Sequence, residues 1–154
     1  MRFECYFLEL VSLNHSNDLH NNSALQNGSA LLGRFLLVAI FIFSGFTKIT
    51  GYAATQGYME AMGVPGFMLP LVIILEIFGG LAILVGFKAR LVALLMAGFS
   101  IVSAIIFHAD FGDQNQMINF MKNLAMAGGF LMIFVNGPGA YSIDERNHNV
   151  NNRI

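Results

Sequence analysis

The sequence predicts an all-α integral membrane protein, an antiparallel four-helix bundle with a short surface helix between its first and second spans. Three observations predict it. Hydrophobic residues make up 56% of the 154-residue chain and charged residues only 11%, with a mean hydropathy of +0.64, well outside the usual soluble range. The apolar residues gather in four runs, Leu31 to Thr47, Pro70 to Phe87, Leu91 to Phe107 and Phe120 to Val135. Each run, with a turn added from its flanks, can cross about 30 Å of hydrocarbon at 1.5 Å rise per residue. Finally, most of these runs show neither the polar faces at a period near 3.6 that a soluble bundle needs nor the alternation of barrel strands. Hydrocarbon offers backbone groups no water, so helices are the form left.

Taken in order, residues 1–30 are polar and rich in Asn and Ser after a brief apolar patch, Cys5 to Leu13, and read as a disordered tail. The patch contains Glu9, has little positive charge before it and precedes no A-x-A site, which argues against a signal peptide. Residues 31–145 form the membrane domain. Between spans 1 and 2, Tyr52, Tyr58, Met59 and Met62 suit either a short amphipathic helix on the membrane surface or a plain connecting helix. "GVPG" (Gly63 to Gly66) breaks the chain, and Pro70 fits the first turn of span 2. "GFKAR" (Gly86 to Arg90) is so short a connection that spans 2 and 3 must be antiparallel neighbours. Residues 146–154 form a polar tail. Arg2, Arg34, Lys88, Arg90, Arg146 and Arg153 fall on one side of such a bundle, against Lys48 and Lys122 on the other, so both termini are expected in the cytoplasm. The sequons beginning at Asn14, Asn21 and Asn27 are then chance matches on a cytoplasmic tail.

Several functions are excluded. A net charge of −1 without a basic block gives no footprint for nucleic acid. Cys5, the single cysteine, cannot make a dithiol centre alone. Met59, Met62, Met117 and Met121 could offer soft ligands to Cu(I), but methionine in a membrane bundle reads first as packing. His108, Asp110 and Asp113 are too sparse for a metal, so no metal site is expected.

The residue that asks for a function is Glu76. It lies about six residues, or roughly 9 Å, into span 2 from the outer side, where a lipid-facing charge costs about 2.5 to 3.5 kcal/mol on insertion scales. Lys48 ends span 1 on that side, His108 ends span 3, and Lys122 with Asn123 opens span 4. Four helices thus bring polar groups to one level. Glu76 should pair with Lys48 or Lys122, with Asn123 and with Ser44, one turn before Lys48, satisfying the remaining valences. Alternatively, the two lysines snorkel to the interface and His108 is simply interfacial. Small residues suggest close helix packing: Ala93, Ala97, Ser100 and Ala104 on span 3, Ala82-x-x-x-Gly86, and Ala125-x-x-x-Gly129 on span 4. They fit a compact bundle and also a homo-oligomer.

"GRFLLVAIFIFSGFTKITGY" (Gly33 to Tyr52), "YMEAMGVPG" (Tyr58 to Gly66), "LEIFGGLAILVGFKAR" (Leu75 to Arg90), "KNLAMAGGFL" (Lys122 to Leu131) and "GPGAYSID" (Gly137 to Asp144) together resemble the DoxX family of small four-span bacterial membrane proteins. The family motifs fall on Arg34, Ser44, Gly45, Lys48, Glu76, Gly79, Gly80, His108, Lys122 and Asn123, with Gly79 and Gly80, like Ala125 and Gly129, read as packing positions. The long Asn-rich start departs from the family. The resemblance implies the bacterial inner membrane and association with a membrane oxidoreductase partner and a non-covalently held quinone, without assigning this chain a reaction. The other reading is a non-catalytic scaffold or small-solute carrier whose charged cluster only locks the helices. In a Cys5→Ser background, cysteines introduced singly at positions 48 and 88 are expected to react with a membrane-impermeant thiol reagent from opposite faces of the bilayer.

Overall fold

The structure, a computed structural model, describes the backbone of residues 2–151 and the side chains of residues 23–146 and 148. The expectations for Arg2, Cys5 and Arg153 side chains lie outside the described residues. Four segments are long and apolar enough to cross a membrane: Ser23–Thr50, Gly66–Val85, Ala89–Phe107 and Gln114–Asn136. They are referred to as spans 1 to 4.

Span 1 is the apolar part of α1 (Arg2–Thr50). The backbone of residues 2–30 is therefore helical where composition suggested an irregular tail. Prolonging an existing helix adds one hydrogen bond per residue without the cost of a new nucleus, so even weak helix formers can continue it. Gly51 ends α1, and α2 (Tyr52–Ala61) runs on at once. Met59 is 4% exposed, whereas Tyr58 and Met62 are 48% and 40% exposed, which is the pattern of a surface helix held by one buried anchor.

Span 2 is composite: a 3₁₀ turn (Gly66–Met68), α3 (Leu69–Ile74), a π-helical turn (Leu75–Gly79) and α4 (Gly80–Val85). Pro70 sits in the first turn of α3, where its missing N–H costs nothing. Span 3 is α5 (Ala89–Phe107), span 4 is α6 (Gln114–Asn136), and α7 (Ile143–Asn151) follows. The boundary expected at residue 146 thus falls inside α7. Ser142 caps this helix, its Oγ accepting from Glu145 N at 3.2 Å, a local Ser-x-x-Glu device.

With no hydrophobic drive between helices in lipid, close van der Waals contact must hold the bundle. On α5, Ala93, Ala97, Ser100 and Ala104 are all buried. A Cβ on Gly80 would come within 2.9 Å of Ile42, one on Gly79 within 3.0 Å of Met96, and one on Gly129 within 3.2 Å of Leu37. Ala125 instead lies on the exposed face. Phe41 of span 1 packs against Phe99 of span 3 and Phe130 of span 4, with ring centroids 6.5 and 5.3 Å apart.

At the end of the bundle that carries the 86–90 turn, charged side chains satisfy helix termini. Arg34, 2% exposed, donates from Nη1 to the carbonyls of Ile83 (3.2 Å) and Leu84 (3.0 Å) and from Nη2 to that of Tyr141 (2.5 Å). Its positive charge meets the negative end of α4. Arg90 does the same for α6, donating to Phe134 O (3.1 Å) and Val135 O (2.8 Å). Asp144 accepts from Lys88 N (2.8 Å) and Ala89 N (2.7 Å) at the opposite pole of α5, and its own N–H donates to Gly86 O (3.0 Å). Gly86 turns the chain at φ +71° and leaves no room for a Cβ beside Ser142 and Arg34 Nη1. Arg34→Met would strand two carbonyls, Leu84 O at the end of α4 and Tyr141 O, at about 1 kcal/mol or more each, while Ile83 O keeps the N–H of Gly86 at 3.2 Å. A loss of roughly 2 kcal/mol is expected in denaturant titration of the purified protein in micelles, with partial recovery in Arg34→Lys.

Candidate functional site

The site is built where span 1 meets the π-helical turn of span 2. An ordinary α-helix would continue its ladder through Leu75–Gly79; the π turn inserts an extra residue per turn, a distortion found disproportionately at functional sites. Within it Glu76 turns inward and is 4% exposed, while Phe78 faces outward at 63%. Ser44 and Lys48 are one turn apart on α1 and so share a face. Gly45 between them brings the two helices together, because a Cβ there would lie 2.5 Å from Ile77 Cγ1 and 3.4 Å from Glu76 Cβ.

The resulting triad is tight. Lys48 Nζ lies 2.9 Å from Glu76 Oε1 and 2.5 Å from Ser44 Oγ, and Ser44 Oγ donates to the same Oε1 at 3.3 Å. Of the two expected pairings, Lys48 forms and Lys122 does not: Lys122 is exposed and makes no ion pair or hydrogen bond among the described residues. α6 begins at Gln114, eight residues before the position expected to open span 4, so Lys122 lies more than two turns into the helix, on its exposed face, where a long side chain can reach the interface without a partner. Asn123 satisfies itself, its Nδ2 donating to Asn119 O at 3.0 Å, and His108 Nδ1 lies 2.7 Å from Gln116 Oε1. Glu76 Oε2 is buried and has no hydrogen-bond partner among the described residues.

These groups nevertheless converge. Ser44, Lys48, Glu76, His108, Lys122 and Asn123 all border one cavity of about 300 Å³, to which all four spans contribute. A second cavity of about 330 Å³ lies beneath α2, walled by apolar side chains such as Met59, Leu71, Val72, Val102 and Phe107. Lys48, Glu76, Phe99, Ser103 and His108 line both. A polar chamber and an apolar chamber therefore share one wall, with the ion pair in it. Among the described residues no three His, Cys, Asp or Glu side chains converge as a metal site.

Gln116 and Ser103 belong to this neighbourhood without having been singled out, and Tyr58 was singled out only as part of the surface helix. Gln116 lies ahead of the apolar run that marked span 4 and carries no signal of its own, and Tyr58 stacks on Phe107 at 5.6 Å through a contact that sequence spacing does not reveal. Ser103 did carry a signal, a hydroxyl in an apolar span three residues after Ser100.

A family model described as DoxX matches residues 29–109, more than half of the chain, including Ser44, Lys48, Glu76 and His108. The chain belongs to the DoxX family. With four spanning segments, it is a DoxX-type multi-pass membrane protein. Two Escherichia coli (strain K12) proteins are similar to it. Inner membrane protein YqjF is 60% identical over a match covering 56% of this chain and 66% of that protein. Inner membrane protein YphA is 38% identical, with 57% of this chain and 68% of that protein covered. The matches thus span about two thirds of each relative's length. No solved structure matches the chain. Lys122 and Asn123 lie beyond the segment matched by the DoxX model.

Removing one member of a buried ion pair leaves the other uncompensated, typically at a cost of about 3–5 kcal/mol, whereas replacing both by apolar groups is near neutral. Lys48→Met alone should destabilise this DoxX protein by roughly that amount, and Lys48→Met combined with Glu76→Leu should recover most of the loss. A double-mutant cycle on denaturation midpoints in micelles measures the coupling.

Proposed function

We propose that this protein, lying in the bacterial inner membrane with both termini in the cytoplasm, holds a small amphipathic, quinone-type molecule in the outer half of the bilayer for a membrane oxidoreductase partner. The observation that carries the reading is the shared wall: a buried carboxylate with one oxygen bonded to Lys48 and Ser44 and the other without a partner, bordered by a polar chamber on one side and an apolar one on the other. An ion pair serving only to lock helices has no use for an unsatisfied oxygen, whose burial costs about 1–3 kcal/mol or more for a charged group. Cavities of about 300 Å³ lie at the small end of the range for small-molecule sites, which are mostly apolar with a few convergent polar groups.

The division of labour follows from the chemistry of the side chains. The Lys48 ammonium has three N–H donors, two of them engaged by Ser44 and Glu76, so one remains for a ligand carbonyl. His108 and Lys122, on the polar chamber, supply further donors and a route for protons toward the outer surface. The ring and its apolar substituent fit the chamber beneath α2, where Leu71, Val72 and Val102 offer no competing polar atoms. Redox equivalents come from the quinone and the partner, while the chain binds, orients and exchanges protons within hydrogen-bond reach.

Mass spectrometry of the natively extracted protein tests this directly. A quinone is expected to accompany the wild-type chain, and the doubly apolar Lys48→Met/Glu76→Leu protein should lose it while remaining inserted and folded. Wild-type extracts without any bound amphiphile would leave the locking or scaffold role in place, and solute flux in proteoliposomes without redox turnover would identify a carrier.

A further inference from the structure

We infer that the wall shared by the two chambers selects the hydroxyl-bearing, reduced state of its ligand over the carbonyl-bearing, oxidised one. The inference rests on the binding reading above and adds a direction to it. Three observations set that direction. Glu76 is 4% exposed, so bulk water does not satisfy its carboxylate. Oε1 already receives both protein donors within reach, Lys48 Nζ at 2.9 Å and Ser44 Oγ at 3.3 Å. Oε2 receives none. A carboxylate oxygen is an acceptor only; of the other polar side chains lining the chamber, Asn123 donates to Asn119 O and His108 Nδ1 is engaged by Gln116, and none of them, Ser103 and Lys122 included, reaches Oε2.

A ligand group that completes Oε2 as it stands brings its own proton. A phenolic O–H of a quinol does so, and a hydrogen bond from hydroxyl to carboxylate is among the stronger ones available. A quinone carbonyl is an acceptor and would set two oxygens against each other at that point, leaving only the third Lys48 proton to favour it. Leaving a buried charged acceptor unmet costs more than a single neutral hydrogen bond returns. The wall thus reads the head group by donor count, and the apolar chamber reads the tail by volume.

The test uses the full chain in nanodiscs and three probes of nearly equal size: a decyl-substituted benzoquinol, the corresponding benzoquinone, and the bis-methyl ether of the quinol, which keeps the ring and tail but has no O–H. The quinol should bind about tenfold more tightly than either of the others, which for this two-electron couple raises the potential of the bound pair by about 30 mV. In Glu76→Gln the amide oxygen stays with Lys48 and the NH₂ takes the place of Oε2, so the order should reverse in favour of the quinone. Should that variant fail to fold, the wild-type ratio decides alone. Equal or tighter binding of the quinone or of the methyl ether overturns the selectivity while the binding reading stands. Failure of all three probes to bind overturns both.

Discussion

A lysine and a glutamate facing each other in a region from which water is excluded govern the geometry of this bundle. Neither charge is affordable alone at that depth, since desolvating an ion costs several kcal/mol and only a well-placed counter-ion with supporting hydrogen bonds offsets it. Everything near the pair serves to bring the two groups within 2.9 Å. Gly45 removes the side chain that would keep spans 1 and 2 apart, the π turn rotates Glu76 inward, and Ser44 takes up the second lysine proton. The consequence is a register between spans 1 and 2 fixed at this level by the ion pair, as it is fixed at the other end by Arg34 on the carbonyls of Ile83 and Leu84.

The two ends of the bundle are organised on different principles. At the end carrying the 86–90 turn, full charges are spent on backbone termini: Arg34 on α4, Arg90 on α6 and Asp144 on α5. Lys88, Glu145 and His148 at the same end border a further cavity of about 720 Å³. At the other end the charges meet side chains, a cavity and each other, and α2 covers the region with a single buried anchor, Met59. Charge is thus used on backbone termini at one end of the bundle and between side chains at the other.

Much of this was legible in the sequence, because it followed from constraints that act locally. Four apolar runs without polar faces dictated the spans, and the brevity of Gly86 to Arg90 dictated the pairing of spans 2 and 3. The depth of Glu76 pointed to a partner on a neighbouring helix. Which lysine that partner would be was not legible, since it depends on the rotation of span 2, and the π turn that sets this rotation leaves no mark in a run of Leu, Ile and Phe. The role of Arg34 was hidden for a related reason: its acceptors are backbone carbonyls of residues about fifty and one hundred positions away, and carbonyls carry no sequence signature. Asn123 and His108 were expected near Glu76 and border the same cavity, but their bonds to Asn119 and Gln116 depend on rotamers and on where α6 begins, which spacing alone does not fix.

The clamped end has a mechanical corollary. Because Arg34 ties α1 to both the end of α4 and the segment after α6, while Asp144 ties that same segment to the start of α5, all four spans are fastened at one level by bonds to the main chain itself. At the other level the ties run mostly between side chains, Lys48 to Glu76 and His108 to Gln116, with one bond from Tyr58 to Phe107 O at 3.5 Å. The two levels therefore differ in what a substitution can break: a tie between side chains has two replaceable partners, whereas a tie to a carbonyl has one.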